Sequence, residues 1–176
     1  FWRELNANGA KKSRAYGQFL GTRYRSFRNI VWIHGGDYSP PADSPGMAYG
    51  LEILLGIKER DTTKLHSFHG VRSTTALDHT VFAQHLDLYS VYTGDELRKG
   101  KATPDEPYKI SLRAYNRSDF RPTFLIKARY ENLAGSSYGF TRTSERHRLR
   151  RQAYWAILSG TTGHFFGNEP VWSFRP

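Results

Sequence analysis

The chain has 176 residues, 38% of them hydrophobic and 15% aromatic, enough for one domain with a real core and too apolar for a disordered one. It has no cysteine, which excludes a disulfide framework and a thiolate metal site, and no apolar run approaches the length of a membrane span. The formal net charge of +10 suits an anionic partner, but Lys and Arg are spread along the chain apart from a knot at Arg146, Arg148, Arg150 and Arg151. That knot reads as the solvent face of a helix, so nucleic acid is not expected as a partner, and an acidic polysaccharide fits the charge as well.

In chain order, the start at Phe1-Trp-Arg-Glu-Leu has no initiator Met, signal peptide or helix cap, and reads as a chain entered midway. Ala15, Tyr16, Phe19, Leu20 and Tyr24 predict a helix over 13–24. Consecutive Ile30, Val31, Trp32 and Ile33 predict a strand over 28–34 covered on both faces, ended by Gly35-Gly36-Asp37. Pro40, Pro41 and Pro45 mark a loop, and Met47, Leu51, Leu54 and Leu55 predict a helix over 46–60. Strands are expected over 64–69, 86–92, 123–127 and 161–166, and helices over 75–84, 108–115 and 144–158. In the last helix Leu149, Ala153, Ala156 and Ile157 share one face. Residues 95–107 read as a loop, 133–140 as a Gly- and Ser-rich loop over a cleft, and 170–176 as an exit loop.

Helices alternating with short apolar strands imply a parallel sheet. A doubly wound sheet is one solution and a (β/α)₈ barrel the other, and a barrel needs eight strands and about 250 residues. With five strands, residues 1–176 are read as a single partial (β/α)₈ TIM barrel domain, strands four to eight, with the N-terminal strands missing. Such a piece leaves two open edges, so the isolated chain is expected to aggregate and three upstream βα units are expected to complete it. Where the protein acts in or outside the cell is left open by that missing start.

Asp37 and Glu131 follow two apolar strand runs about half the chain apart. Carboxyls at strand ends point into the cleft above a barrel, and two converging carboxyls are the minimum equipment of a glycoside hydrolase. Taken singly, each has a plainer reading: Asp37 as a turn residue after Gly-Gly, Glu131 as a surface residue opening a loop. His66 and His69 lie three apart on a strand and so on opposite faces, which argues against a metal site. Asp87, inside an apolar strand, is expected to be a buried carboxylate with a basic partner. There is no phosphate-binding glycine loop and no Gly-x-Ser-x-Gly elbow, and no cofactor is expected.

The succession Trp32-Ile-His-Gly-Gly-Asp37, His66-Ser-Phe-His69-Gly70, Leu86-Asp87-Leu-Tyr-Ser-Val-Tyr92-Thr-Gly94, Arg129-Tyr130-Glu131, Arg150-Arg151-Gln-Ala-Tyr-Trp155 and Gly163-His164-Phe-Phe-Gly167-Asn168 resembles the apiosidase-like (DUF4038) family across essentially the whole chain. The resemblance implies a (β/α)₈-barrel glycoside hydrolase that acts on plant or bacterial polysaccharide with retention, as characterised members do on apiosidic linkages of pectin. It implies Asp37 as acid/base and Glu131 as nucleophile. Members often carry a further acidic residue four positions before that Glu, where this chain has Lys127. If that acid were the nucleophile, the chain would be a non-catalytic carbohydrate-binding or cell-surface module on a degenerate barrel. If Glu131 is, Lys127 alters the cleft; Glu131 is favoured because it lies in the preserved Arg-Tyr-Glu run. Burial beside Trp32 and Tyr38 is expected to raise the pKa of Asp37, and Arg129 to keep Glu131 ionised. His69, Tyr92, Tyr130, His164, Asn168 and Trp172 are the expected sugar-binding residues of the rim, though for the histidines and Trp172 a place in the core is an equal reading.

Overall fold

The computed structural model describes residues 2–37, 45–93, 97–98, 101–102, 107–132 and 142–174. Helix α1 (Trp2–Tyr24) starts well before the apolar spacing predicts, because Gly9, at φ 74 and ψ 178, bends it and puts Trp2 and Leu5 out of phase with the later turns. Its buried face is not the apolar stripe. Tyr16 and Phe19 are exposed, while Ser13, Gly17 and Gly21 are buried against α2 (Gly46–Arg60). The two helices touch backbone to backbone: a Cβ on Gly17 would lie 2.1 Å from the Ile53 carbonyl oxygen, and one on Gly56 2.3 Å from that of Arg14. Trp2, Leu5, Ile53 and Ile57 fill the space beside the crossing.

Strand β1 (Val31–Gly35) pairs in parallel with β2 (Leu65–His69), Val31 beside Leu65 through Gly35 beside His69. Next come the short β3 (Thr74–Thr75), a 3-10 turn (Ala76–Asp78), α3 (Thr80–Ala83) and β4 (Tyr89–Tyr92). The single helix predicted over 75–84 is broken at His79, where φ is −102 and ψ 72. A Thr75–Asp78 capping box starts the first piece, and Thr74-Thr75 pairs antiparallel with β4 instead. Within the predicted 95–107 loop, β5 (Leu97–Arg98) and β6 (Lys101–Ala102) form an antiparallel ribbon. Helix α4 (Pro107–Tyr115) leads to β7 (Thr123–Lys127), α5 (Arg142–Leu158), β8 (Gly163–His164) and α6 (Glu169–Ser173). The expected exit loop is thus partly helical, because the Asn168 side chain accepts from Val171 N at 3.4 Å and Pro170 opens the first turn. The expected cleft loop at 133–140 lies outside the described residues.

β4, β7 and β8 are parallel neighbours, and β2 abuts β4: His66 O accepts from Asp87 N and Leu88 N, and Ser90 Oγ donates to Phe68 O. The order β1, β2, β4, β7, β8 therefore follows the sequence, every strand running the same way, as in an arc of a βα barrel. One face of the arc is sealed by helices: Phe68, Tyr89, Val91 and Leu125 pack with Leu54, Ala114 and Ala156. The other face is open beside β1, where Val31, Ile33 and Leu65 are 45%, 41% and 45% exposed. The predicted two-sided covering of β1 does not hold among the described residues, because alternation sends only Trp32 and His34 toward the helices. Among the described residues of α5, Gln152 and Ala156 are buried; Ile157 of the predicted apolar face is 47% exposed, and Arg146, Arg150 and Arg151 of the predicted solvent-facing knot are exposed while Arg148 is partly buried.

At the opposite end from the strands' C-termini, Asp61 and Lys64 form a buried ion pair at 2.8 Å with side chains 2% and 6% exposed. Lys64 Nζ also donates to Arg25 O at 3.0 Å, which ties the segment after α1 to the turn before β2.

Candidate active site

Because the arc is parallel, the C-terminal ends of its strands share one rim. At the end of β1, Gly35 has φ 87, and a Cβ there would lie 2.4 Å from the His69 carbonyl oxygen. Glycine lets the chain turn tightly against β2, where Gly36 N donates to His69 O at 2.8 Å. Asp37 is thereby set over the rim, its Oδ1 3.5 Å from His69 Nε2 and its Oδ2 accepting from Lys127 Nζ.

Lys127 reaches Asp37 because of an irregularity in pairing. β4 and β7 run in register to Val91 and Leu125, then slip, so that Tyr92 stands beside Lys127 rather than Ile126. Such bulges re-aim side chains at rims. The Lys127 ammonium lies 5.0 Å from the centre of the Tyr92 ring and 5.6 Å from that of Tyr130, within cation–π range of both. The His69 ring packs on Tyr92 at 5.2 Å. Burial alone would lower the Lys127 pKa, but the hydrogen bond to Asp37 and the nearby Tyr92 oxygen outweigh it, and the net shift is upward. Burial raises the Tyr92 pKa.

Glu131 follows β7. Its N–H donates to Gly167 O at 2.8 Å, and its carboxylate accepts from Asn168 Nδ2 at 3.0 Å. The same Asn168 amide caps α6 with its oxygen, so one side chain joins Glu131 to the helix that carries Trp172. Trp172 is 64% exposed and stands edge-on to Tyr130 with ring centres 6.1 Å apart. Gly167 makes room for Tyr130, since a Cβ would lie 2.2 Å from its ring. Contacts thus run from Asp37 and His69 through Lys127, Tyr92 and Tyr130 to Trp172, with Glu131 and Asn168 alongside.

His164 stands apart. It is in register with Leu125, whose side chain belongs to the core under the helices, and among the described residues no hydrogen bond or ring contact joins it to the rim. Burial lowers its pKa. Asp37 is 54% exposed rather than buried, and Trp32 packs on Tyr24 on the helix side; Tyr38 lies outside the described residues. Arg129 is buried, and the described partner of Glu131 is Asn168. Asp87 is half-exposed in the turn before β4, accepting from His66 N at 2.9 Å with Lys58 Nζ 3.8 Å away. Lys127 as the direct partner of Asp37 was not foreseen. Only its place at a strand end pointed to it, since a slip in register leaves no mark in local sequence.

His66 and His69 part as alternation predicts. His66 lies on the helix face, stacked on His34 with Nε2 of His34 and Nδ1 of His66 3.0 Å apart. Burial, with the neighbouring ring and Lys58, lowers the His34 pKa to about 3; burial followed by Lys58 lowers that of His66 to about 4. Among the described residues no cluster of three or more His, Asp or Glu could hold a metal ion.

The model of the family described as "Apiosidase-like, catalytic domain" matches residues 2–176. The chain belongs to the apiosidase-like family. This apiosidase-like domain is similar in structure to a solved "Glycoside hydrolase" with 24% identity and a TM-score of 0.77, over 96% of this chain and 40% of that one. It is also similar to a glycoside hydrolase family 5 structure from Bacteroides vulgatus ATCC 8482, with 24% identity and a TM-score of 0.75, over 91% and 35% of the two chains. The domain therefore spans well under half the length of these structures, and its α/β fold is consistent with part of a glycoside hydrolase barrel. No curated protein matches the sequence. Among the described residues no helix is long and apolar enough to cross a membrane.

Proposed function

We propose that the apiosidase-like domain is the part of a retaining glycosidase that holds both catalytic carboxyls. The five rim-forming strands then stand as strands four to eight of a (β/α)₈ barrel, residues 1–176 being one partial domain of it. The observation that supports the reading is that Asp37 and Glu131 each follow a strand of the parallel arc, where Lys127 joins Asp37 to Tyr130, Asn168 holds Glu131, and Trp172 stands exposed beside Tyr130. The exposed Val31, Ile33 and Leu65 support an arc that further strands would cover.

In this reading Asp37 protonates the leaving oxygen while Glu131 attacks the anomeric carbon, and Asp37 then takes a proton from the water that releases the sugar. Two carboxyls used in this way stand about 5–5.5 Å apart across the scissile bond. Asn168 orients the Glu131 carboxylate through its amide N–H. Tyr130, Trp172, Tyr92 and His69 present rings and hydrogen-bonding groups to the sugar. The family points to an apiosidic linkage of pectin as the substrate. The test is Glu131→Gln in the full-length protein: turnover falls by several orders of magnitude while oligosaccharide binding persists. Undiminished turnover sinks the assignment.

One observation favours a second reading, a non-catalytic carbohydrate-binding module. Lys127 occupies the Asp37 oxygen that would deliver the proton. That reading predicts affinity for the oligosaccharide without release of sugar by the unmodified protein.

A further inference from the structure

We propose that the outward face of α5, with the base of the domain beside it, docks on the surface of an anionic phospholipid bilayer. Arginines meet the headgroup phosphates and Leu158 enters the acyl boundary. The inference is independent of the chemistry assigned to the rim.

Residues 146–158 contain four arginines and no Asp or Glu. At about 3.6 residues per turn, Tyr154 and Leu158 fall on the side opposite the buried Gln152 and Ala156. Strands that complete a barrel lie on the buried side, so they leave this outward face in solvent. Tyr154 is 66% exposed and Leu158 81%, and Arg146, His147 and Arg150 are exposed on or beside the same face. Arg146 and Arg150 stand four residues apart, a like-charge pair that opposes the helix. Neither that pair nor the exposed leucine stabilises the fold, which points to a partner.

The helix runs from rim to base, since β8 follows it after a short turn, so its apolar end at Leu158 lies at the pole opposite the rim. Two residues on, a Cβ on Gly160 would lie 2.3 Å from the Tyr115 ring, and Tyr115 meets Phe120 edge-on with ring centres 5.2 Å apart. Both rings are exposed, so an apolar tip of Leu158, Tyr115 and Phe120 adjoins the cationic slope. The acid beside that tip, Asp119, is taken up by Arg117 at 2.7 Å.

The chemistry selects the partner. Guanidinium groups bind phosphate through paired N–H donors. Leu158 and Ile157 offer no hydrogen bond to a sugar or a nucleotide, whereas the acyl boundary of a bilayer takes up such side chains. A second copy docked by the same face would set arginine against arginine, and the net charge of +10 adds to that repulsion. The same charge draws the domain to an anionic surface. Docked by its base, the domain turns the rim away from the bilayer.

The experiment is flotation of the full-length protein with vesicles of phosphatidylcholine alone and of phosphatidylcholine mixed with phosphatidylglycerol, with circular dichroism to check the fold of each variant. Partition onto the anionic vesicles is expected to exceed that onto the neutral ones at least about tenfold and to fall as salt rises. Arg146→Gln/Arg150→Gln should lower it by on the order of tenfold, and Leu158→Ser by a similar factor. Arg3→Gln/Lys11→Gln, which removes the same charge from exposed positions of α1, should leave most of it. Equal partition onto both kinds of vesicle, or an equal loss in the α1 and α5 arginine variants, would reflect general charge and overturns the proposal. Absence of vesicle binding overturns it too, and two further measurements then identify the occupant. A dimer in sedimentation that Leu158→Ser dissociates gives the face to a second copy; binding of polygalacturonate that both α5 variants abolish gives it to polysaccharide.

Discussion

Removing the Asp61 carboxylate should expose the cost of a buried cation. Lys64 Nζ has three acceptors, Asp61 Oδ2 at 2.8 Å, Arg25 O at 3.0 Å and Thr63 Oγ1 at 3.0 Å. Asp61 Oδ1 in turn accepts from Thr63 N at 2.9 Å and from Thr63 Oγ1 at 2.6 Å. Asp61→Ala deletes three hydrogen bonds and leaves an ammonium enclosed with two neutral oxygens. At about 1 kcal/mol per bond the loss is about 3 kcal/mol, and breaking a buried ion pair costs about 3–5 kcal/mol, so the two routes agree. For a chain of this size that is a fall in Tm on the order of 6–20 °C. The double variant Asp61→Ala/Lys64→Met removes the stranded charge and should regain about 2 kcal/mol or more of the loss, because an apolar pair often replaces a buried ion pair with little penalty. Burial pushes the Asp61 pKa up, but hydrogen bonds from Lys64 and Thr63 prevail and hold it at about 2. This contribution is therefore complete above the ordinary carboxylate value of 3.8 and is lost as the pH falls through 2. The assay is urea unfolding followed by tryptophan fluorescence. A cost below about 1 kcal/mol for Asp61→Ala, or a double variant no more stable than the single, would refute the reasoning.

The remaining predictions concern helix contact, the rim and acid. Gly56→Ala places a Cβ 2.3 Å from the Arg14 carbonyl oxygen and should destabilise the domain by about 1–3 kcal/mol, measured by urea unfolding, unless α1 and α2 can separate without cost. Gly167→Ala must displace the Tyr130 ring and should lower kcat/KM on the order of 100-fold while the unfolding midpoint moves little; unchanged kinetics would remove Tyr130 from the site. His34 and His66 have pKa values depressed to about 3 and about 4, so the unfolded chain takes up protons below 6.5 that the folded one refuses. Stability is then complete above pH 6.5 and declines as the pH falls toward 4. His34→Phe should reduce the slope of stability against pH between 6 and 5 by about one proton, and an unchanged slope would exclude the pair as its source.

Local sequence carried much of the fold. The helix over Gly46–Arg60 and the strand over Thr123–Lys127 have the predicted bounds, since a continuous apolar period leaves little choice of structure. α1 was legible only in part, because its buried face is made of Ser13, Gly17 and Gly21, which carry no apolar signal and matter only when a second backbone comes close. α6 was hidden by its brevity, and the Asn168 cap that starts it is recognisable mainly beside the turn it caps.

The rim divides in the same way. That Asp37 and Glu131 follow strand runs, and that His66 and His69 face opposite ways, follows from a period of two along one strand. The sequence therefore determined which carboxyls follow strand runs and that the two histidines part to opposite faces. The tertiary structure alone decided that Lys127 meets Asp37, that His164 follows Leu125 away from the rim, and that Asn168 donates to Glu131. The physical reason is register. Asp37 and Lys127 are 90 residues apart, and their contact depends on a slip after Val91 in how β4 lies beside β7. Register belongs to pairs of strands, so it exists only once the chain has folded.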